Sequence, residues 1–264
     1  MQHDHESDNA ADATQAFLES LPELKAGETF RFACHPKVPC FNACCSDLTL
    51  MLTPYDVLRL RERLGLSSRE FIARHALTAL APDTGFPMLR LRMMDHVPGS
   101  PCPFVTAEGC SVYPGRPGAC RTYPLGRATK TGPSGDVVEQ FFVVREPHCR
   151  GFEEGTGWTS GGWLGDQELQ EYNRHNDRYM LLLAKAKELG ARLDQRQANM
   201  VFLAAYNLDG FKDFLLNTGM FSRLDVSPED QEAILSGETR RLMFAMDWLE
   251  LVLFGSSAAL RKKA

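Results

Sequence analysis

The chain has 264 residues, 44% of them hydrophobic and 24% charged, with a formal net charge of −5. This is ordinary globular composition, with enough chain to bury a core without covalent staples. Nucleic acid is excluded as an expected partner because the one basic run is Arg261, Lys262 and Lys263. A membrane span is excluded because the most apolar stretch, Leu242 to Phe254, is short and interrupted by Asp247 and Glu250.

Residues 1–12 carry Asp4, Glu6, Asp8 and Asp12 with no counter-charge and no apolar pattern, which predicts a disordered tail. The same acidic opening contains no apolar targeting segment, so the expected location is the cytoplasm, where thiols stay reduced. Phe30 to Ala33 and Leu48 to Leu52 read as short strands, with a loop between them. Thr53 is a suitable N-cap and Pro54 a suitable first helical residue, opening a helix through Val57, Leu58, Leu60 and Leu64 to a stop at Gly65. Ser67 with Glu70 forms a capping box for a second helix from Ser68 to about Leu77. Met88 to Met94 alternates Leu89, Leu91 and Met93 with Arg90 and Arg92, the pattern of a half-buried strand. Val137 to Val144 is more evenly apolar and is expected to be a more buried strand. The run from Glu153 to Trp163 reads as a loop. Beyond it, Leu169, Tyr172, Tyr179, Leu182, Leu183, Ala186 and Leu189 form an apolar stripe at helical spacing that ends at Gly190. Further helices are expected over 195–207, 208–217, 228–235 and 238–254. The fold class that follows is α+β, with a cysteine-rich module over 13–155 and a helical half over 156–264 packed on it.

Eight cysteines carry the functional signal, in a tight quartet (Cys34, Cys40, Cys44, Cys45) and a spread quartet (Cys102, Cys110, Cys120, Cys149). A disulfide framework is disfavoured by the expected compartment, and adjacent Cys44 and Cys45 would need a strained backbone to bond to each other. Metal ligation is the stronger reading. Gaps of five, three and zero residues inside the first quartet do not form the paired knuckles of a structural zinc site. Adjacent cysteines diverge, so one tetrahedral ion is awkward for both, whereas two irons of a cluster or two separate metals are easier.

The stretch from Cys34 to Cys45 (CHPKVPCFNACC) with the following LTPYD, the stretch from Cys102 to Tyr113 (CPFVTAEGCSVY) and the stretch from Arg116 to Pro124 (RPGACRTYP) together resemble the YkgJ-type cysteine-cluster proteins. Members are described as zinc- or iron-chelating domains, and the flagellin lysine N-methylases look like an enzymatic branch with a similar cysteine pattern and an iron–sulfur cluster. The wide gap between Cys34 and Cys40 is similar to that branch. The resemblance implies metal ligation by Cys34, Cys40, Cys44, Cys45, Cys102, Cys110 and Cys120. Cys149 is added because of its position after a strand.

Thiolate sites need compensating charge, and Arg116 and Arg121 flank Cys120, so they are expected to hydrogen-bond sulfur or cover the metal. His35 and His148 stand beside Cys34 and Cys149 as alternative ligands, while His75, His96 and His175 read as surface or packing residues. Tyr123 and Pro124 are expected to shape a turn and shield the site. Asn173, Asn176 and Asp177 share a helix face that either lines a pocket or is solvated. No phosphate-binding loop, dinucleotide fingerprint, nucleophile elbow or radical-type C-x-x-x-C-x-x-C run is present. The favoured expectation is an iron-binding protein holding a [4Fe–4S] cluster, with zinc close behind. The alternatives are a cluster-dependent protein lysine N-methyltransferase using S-adenosylmethionine on a protein substrate, and a structural zinc module supporting a protein partner.

Overall fold

The computed structural model describes residues 22–132, 137–190 and 192–263, and the tail expected to be disordered lies outside them. In chain order the elements begin with strands β1 (Phe30–Phe32) and β2 (Met51–Leu52), helices α1 (Pro54–Leu64) and α2 (Ser68–His75), and strands β3 (Ala76–Leu80) and β4 (Pro87–Leu91). Strands β5 (Val105–Thr106) and β6 (Gly109–Cys110), helix α3 (Gly118–Thr122), and strands β7 (Leu125–Thr131), β8 (Val137–Val143) and β9 (Thr156–Trp158) follow. Helices α4 (Ser160–Asp166), α5 (Gln170–Glu188), α6 (Gln195–Tyr206), α7 (Leu208–Thr218), α8 (Pro228–Ser236) and α9 (Glu238–Phe254) complete an α+β chain.

Local chemistry sets several boundaries. The Thr53 hydroxyl accepts from the Asp56 N–H while the Asp56 carboxylate accepts from the Thr53 N–H at 2.9 Å, so α1 starts in a closed capping box. Ser67 and Glu70 do the same for α2. That helix stops at His75 rather than near Leu77. Ala76 to Leu80 leave as a strand whose residues pair with Leu91 to Pro87, and this pairing overrides local helical preference. The expected loop from Glu153 to Trp163 is likewise ordered: Thr156 to Trp158 pair antiparallel with β1, and the Thr159 hydroxyl accepts from the Gly162 N–H to cap α4. β8 is less buried than its apolar run suggests: it pairs with β7 in a two-stranded sheet, with a single bridge from Glu23 to Phe142 on its other edge, and most of its residues stay half-exposed.

Contacts gather the chain into two units, neither continuous in sequence. Among the described residues, the first comprises those from 22 to 48 and from 93 to 173, and the second those from 49 to 92 and from 174 to 263. α1, α2 and β2 to β4 precede the sequence boundary near 155, yet they belong with the C-terminal helices.

The first unit has an aromatic core of Phe30, Phe32 and Trp163 with Leu24, Leu125 and Val143. Phe32 is its hub, edge-on to Phe152 at 5.2 Å, Trp163 at 5.6 Å and Tyr123 at 5.8 Å. Both indole N–H groups donate to backbone, Trp158 to the Phe32 carbonyl at 3.1 Å and Trp163 to the Thr122 carbonyl at 3.0 Å. These two bonds fix β1 and α3, and with them the neighbourhoods of Cys34 and Cys120.

The second unit sets the antiparallel sheet β2-β4-β3 among helices. Leu89 and Leu91 are buried and Arg90 is exposed, as the alternation predicts. Trp248 of α9 packs on Phe211 at 5.3 Å and Phe214 at 5.6 Å. Leu242, Ala245 and Leu249 are buried on the same helix, and among the described residues no helix is long and apolar enough to cross a membrane. The expected stripe is buried at Leu169, Tyr172, Tyr179, Leu182 and Ala186, but Leu189 is 60% exposed because it lies past the end of α5. His175 is buried and stacks on Tyr55 at 4.2 Å, and Asn176 and Asp177 are half-buried.

Candidate metal centre

All eight cysteines fall in the first unit, and none is in a disulfide. The first quartet rides on consecutive turns after β1. Val38 N–H donates to the His35 carbonyl at 3.0 Å, Phe41 to Val38 at 2.9 Å and Ala43 to Cys40 at 2.9 Å, leading into a 3-10 turn over Ala43–Cys45. Asn42 enters that turn with φ of 70°, a left-handed conformation that its short polar side chain tolerates, and its amide donates to the Thr106 carbonyl at 2.9 Å.

The structure regroups the cysteines. Cys34, Cys40, Cys44 and Cys149 line one concavity of about 330 Å³, counting its open mouth, together with Phe32, Ala33, Val38, Tyr123, His148 and Gly151. Cys149 arrives there because the segment after β8 docks against the end of β1, where the Ala33 N–H donates to the Gly151 carbonyl at 3.0 Å. A Cβ at Gly151 would lie 2.6 Å from the Ala33 oxygen and 2.6 Å from the Phe32 ring, so only glycine allows this approach. The docking brings the Arg150 N–H to 3.1 Å from the Cys40 sulfur.

Cys45 is outside that lining, although its side chain is hydrogen-bonded to Cys44. The Cys102 N–H donates to the Cys45 carbonyl at 2.7 Å, and a bridge joins Ser46 to Pro101. Cys110 sits across the small β5-β6 hairpin, opposite Val105. The Cys45 sulfur is within electrostatic range of Cys102 and Cys120, and Cys102 within range of Cys110.

Burial and the neighbouring Cys44, Cys40 and Cys149 push the Cys34 thiol up to about 11. Cys44 and Cys45 share a hydrogen bond that lowers Cys44, which accepts, and raises Cys45, which holds the proton. Burial raises Cys102 and Cys110, opposed by the Phe104 and Val105 N–H groups at Cys102 and the Val112 N–H at Cys110. Backbone N–H groups aimed at sulfur are the donors that stabilise bound thiolates. Among the described residues no group of three or more His, Cys, Asp or Glu side chains is placed to hold a metal ion. A metal bound by these thiols would displace their protons. Their chemistry fits soft metals, zinc or iron–sulfur units among them.

The arginines divide. Arg116 lies within electrostatic range of Cys34, Cys110 and Cys120. Its hydrogen bonds go to the Tyr113 carbonyl at 2.9 Å and to the Gln167 side chain, and its guanidinium covers the Tyr113 ring at 3.8 Å. Arg121 is 3% exposed and donates to the carbonyls of Pro114, of Arg116 at 3.3 Å and of Gln167 at 2.7 Å. It is a strut for the turn that carries Cys120. His148 borders the concavity and helps hold Cys44 down, whereas His35 pairs with Glu154 at 3.3 Å. The Tyr123 hydroxyl is buried without a well-formed hydrogen bond beside the Cys149 sulfur. Val38, Gly151 and Gly155 shape the site but carry no chemical signature in the sequence. A long-range glycine contact of this kind cannot be read from spacing alone.

Residues 33–150 match the family model CxxCxxCC, described as a putative zinc- or iron-chelating domain. No curated protein and no solved structure matches the chain. The matched stretch, from residue 33 to residue 150, holds all eight cysteines and agrees with the resemblance to the YkgJ-type cysteine-cluster proteins.

Proposed function

We propose that the protein binds iron, and that the concavity lined by Cys34, Cys40, Cys44 and Cys149 holds it as a [4Fe–4S] cluster. One observation carries the reading: four thiols from two distant segments, Cys34 to Cys44 and Cys149, line one concavity. Four thiolates supply the full ligand set of a [4Fe–4S] cluster, and the Arg150 N–H at Cys40 is a hydrogen bond to sulfur of the kind that sets cluster potential.

The second reading is zinc, favoured by the split of the eight thiols into two sets of four, the number a tetrahedral ion takes. Anaerobic purification followed by iron, sulfide and zinc analysis and a visible spectrum separates the two. Iron with equal sulfide and a brown chromophore is the expected result, and stoichiometric zinc in a colourless protein overturns it. S-adenosylmethionine and a lysine-bearing protein substrate follow from the methylase resemblance. Saturable binding of S-adenosylmethionine to the anaerobic protein would support them, and no detectable binding would remove them.

A further inference from the structure

Strands β2 and β3 are the two edges of the sheet β2-β4-β3. Proteins guard such edges against stray pairing by keeping them short or charged. β2 is two residues long, and the edge strand β7 of the first unit carries Arg127 and Lys130. β3 (ALTAL, Ala76–Leu80) has neither a charge nor a proline. The Arg92 N–H donates to the His75 carbonyl at 2.8 Å and the Ala81 N–H to the Phe86 carbonyl at 2.8 Å, so by alternation Leu77 and Ala79 also face β4. The backbone N–H and C=O groups of Ala76, Thr78 and Leu80 therefore point away from the sheet. Ala76 is satisfied locally: its N–H donates to the Ile72 carbonyl, and its carbonyl accepts from the Arg92 guanidinium at 2.9 Å. Along Thr78 and Leu80 no strand or bridge runs among the described residues. The register puts these two side chains on the same face as buried Leu89 and Pro87, yet Leu80 is 51% exposed. The core-facing side of the sheet runs past its last strand.

We infer that β3 is a self-association edge: it pairs antiparallel with β3 of a second copy of this chain, about a two-fold axis at Ala79, and joins the two sheets into one. In this register Thr78 of each copy lies opposite Leu80 of the other. Both pairs exchange reciprocal N–H to carbonyl bonds, which uses the outward groups that Ala76 does not need. Ala79 meets its symmetry mate in the closer, non-hydrogen-bonded kind of pair, where a small side chain fits. Each Leu80 gains Thr78 of the second copy as a neighbour on the core-facing side. Charge selects a second copy over an unrelated extended peptide. Arg74 and His75 lead into β3 and Asp83 follows it, so antiparallel pairing brings the basic entry of one copy to the acidic exit of the other. Asp83 is exposed, and the Arg74 side chain is 59% exposed and held by Glu70 at 3.6 Å. The two-fold closes the edge, and the short β2 leaves little for further growth at the far side, so association stops at the dimer.

Sedimentation equilibrium of the full-length chain from about 1 µM to about 1 mM, the span of weak association, is the test. The weight-average mass should rise from one chain's 29.5 kDa toward twice that value and no further. Amide exchange read residue by residue locates the contact. The Thr78 and Leu80 N–H groups should slow about tenfold or more between the dilute and concentrated ends, while Leu77 and Ala79, bonded to β4, stay equally slow at both. Thr78→Pro removes an outward N–H without touching a bond to β4, and Leu80→Lys sets a charge on the edge. Each is checked by far-ultraviolet circular dichroism. Thr78→Pro should abolish the dimer, and Leu80→Lys should weaken it about tenfold or more. If Thr78→Pro fails to fold, Leu80→Lys decides, because its position is already half exposed. A wild type that stays monomeric overturns the inference, including where the edge captures an extended peptide of another protein instead. Undiminished association of either folded variant, or growth beyond two copies, overturns it as well.

Discussion

Replacing Gly151 with alanine tests whether close docking of the 149–155 segment builds the concavity. The new Cβ would meet the Ala33 carbonyl oxygen at 2.6 Å and the Phe32 ring at 2.6 Å, well inside ordinary contact. Neither neighbour can yield easily, because one is backbone and the other is the hub of the aromatic core. Overpacking of this kind costs about 1–3 kcal/mol, and opening the 3.0 Å bond from the Ala33 N–H to the Gly151 carbonyl adds about 1 kcal/mol. Cys149 lies two residues before Gly151 and Cys34 one residue after Ala33, so the docking cost falls on the distance between two proposed ligands. If all of it is charged to docking, about 2–4 kcal/mol corresponds to a loss of metal affinity of roughly 30- to 1,000-fold. The assay is chelator competition, with thermal unfolding followed in parallel. Gly157→Ala is the control, because its Cβ would meet nothing nearer than Thr29 at 4.0 Å, and a change there should stay within about 0.5 kcal/mol. Wild-type metal retention in Gly151→Ala, or equal loss in Gly157→Ala, would refute the reasoning.

Arg121→Lys should cost about 2–4 kcal/mol of stability, because one ammonium cannot span the three carbonyls that the buried guanidinium joins. Metal binding by the fraction still folded at low temperature should be unchanged, and a loss of affinity without a loss of stability would show that Arg121 acts on sulfur instead. Zinc affinity should climb with pH, because the Cys34 thiol, pushed up to about 11, is protonated at neutral pH and must release its proton to bind. A flat profile from pH 6 to 9 in competition titrations would contradict proton-linked thiolate binding. His75 is held below the ordinary histidine range by burial first and then by Arg74 and Arg92. The unfolded chain therefore takes up its proton at higher pH than the native one. Stability should fall as pH drops through about 6.5 and level off once the lowered native value is passed. His75→Gln should flatten that slope in denaturant titrations, and an unchanged slope would assign it to other groups.

Short-range chemistry was the legible part of the fold. Thr53 with Pro54, Ser67 with Glu70, and the terminal Gly65 gave α1 and the start of α2 because capping is decided within four residues. The C-terminal helices followed from periodicity alone. What escaped was decided at a distance: β3 exists because β4 is there to pair with it, and β9 because β1 is. The same limit applies at the site. The eight cysteines are evident from the sequence, but Cys44 and Cys45, expected to diverge, share a side-chain hydrogen bond. The exchange of Cys149 for Cys45 in the first set depends on Gly151 meeting Ala33 across more than a hundred residues. Arg121 lies beside a cysteine in sequence, yet it turns to the carbonyls of Pro114, Arg116 and Gln167, a choice that adjacency does not reveal.

The central claim is that cysteine sulfurs alone hold the metal. X-ray absorption at the iron and zinc edges of the anaerobically purified chain tests it directly. The account predicts a first shell of sulfur only, near the ~2.3 Å typical of metal–thiolate bonds, with a short metal–metal shell at the iron edge. A first shell dominated by nitrogen or oxygen, or a protein carrying neither metal, would contradict it.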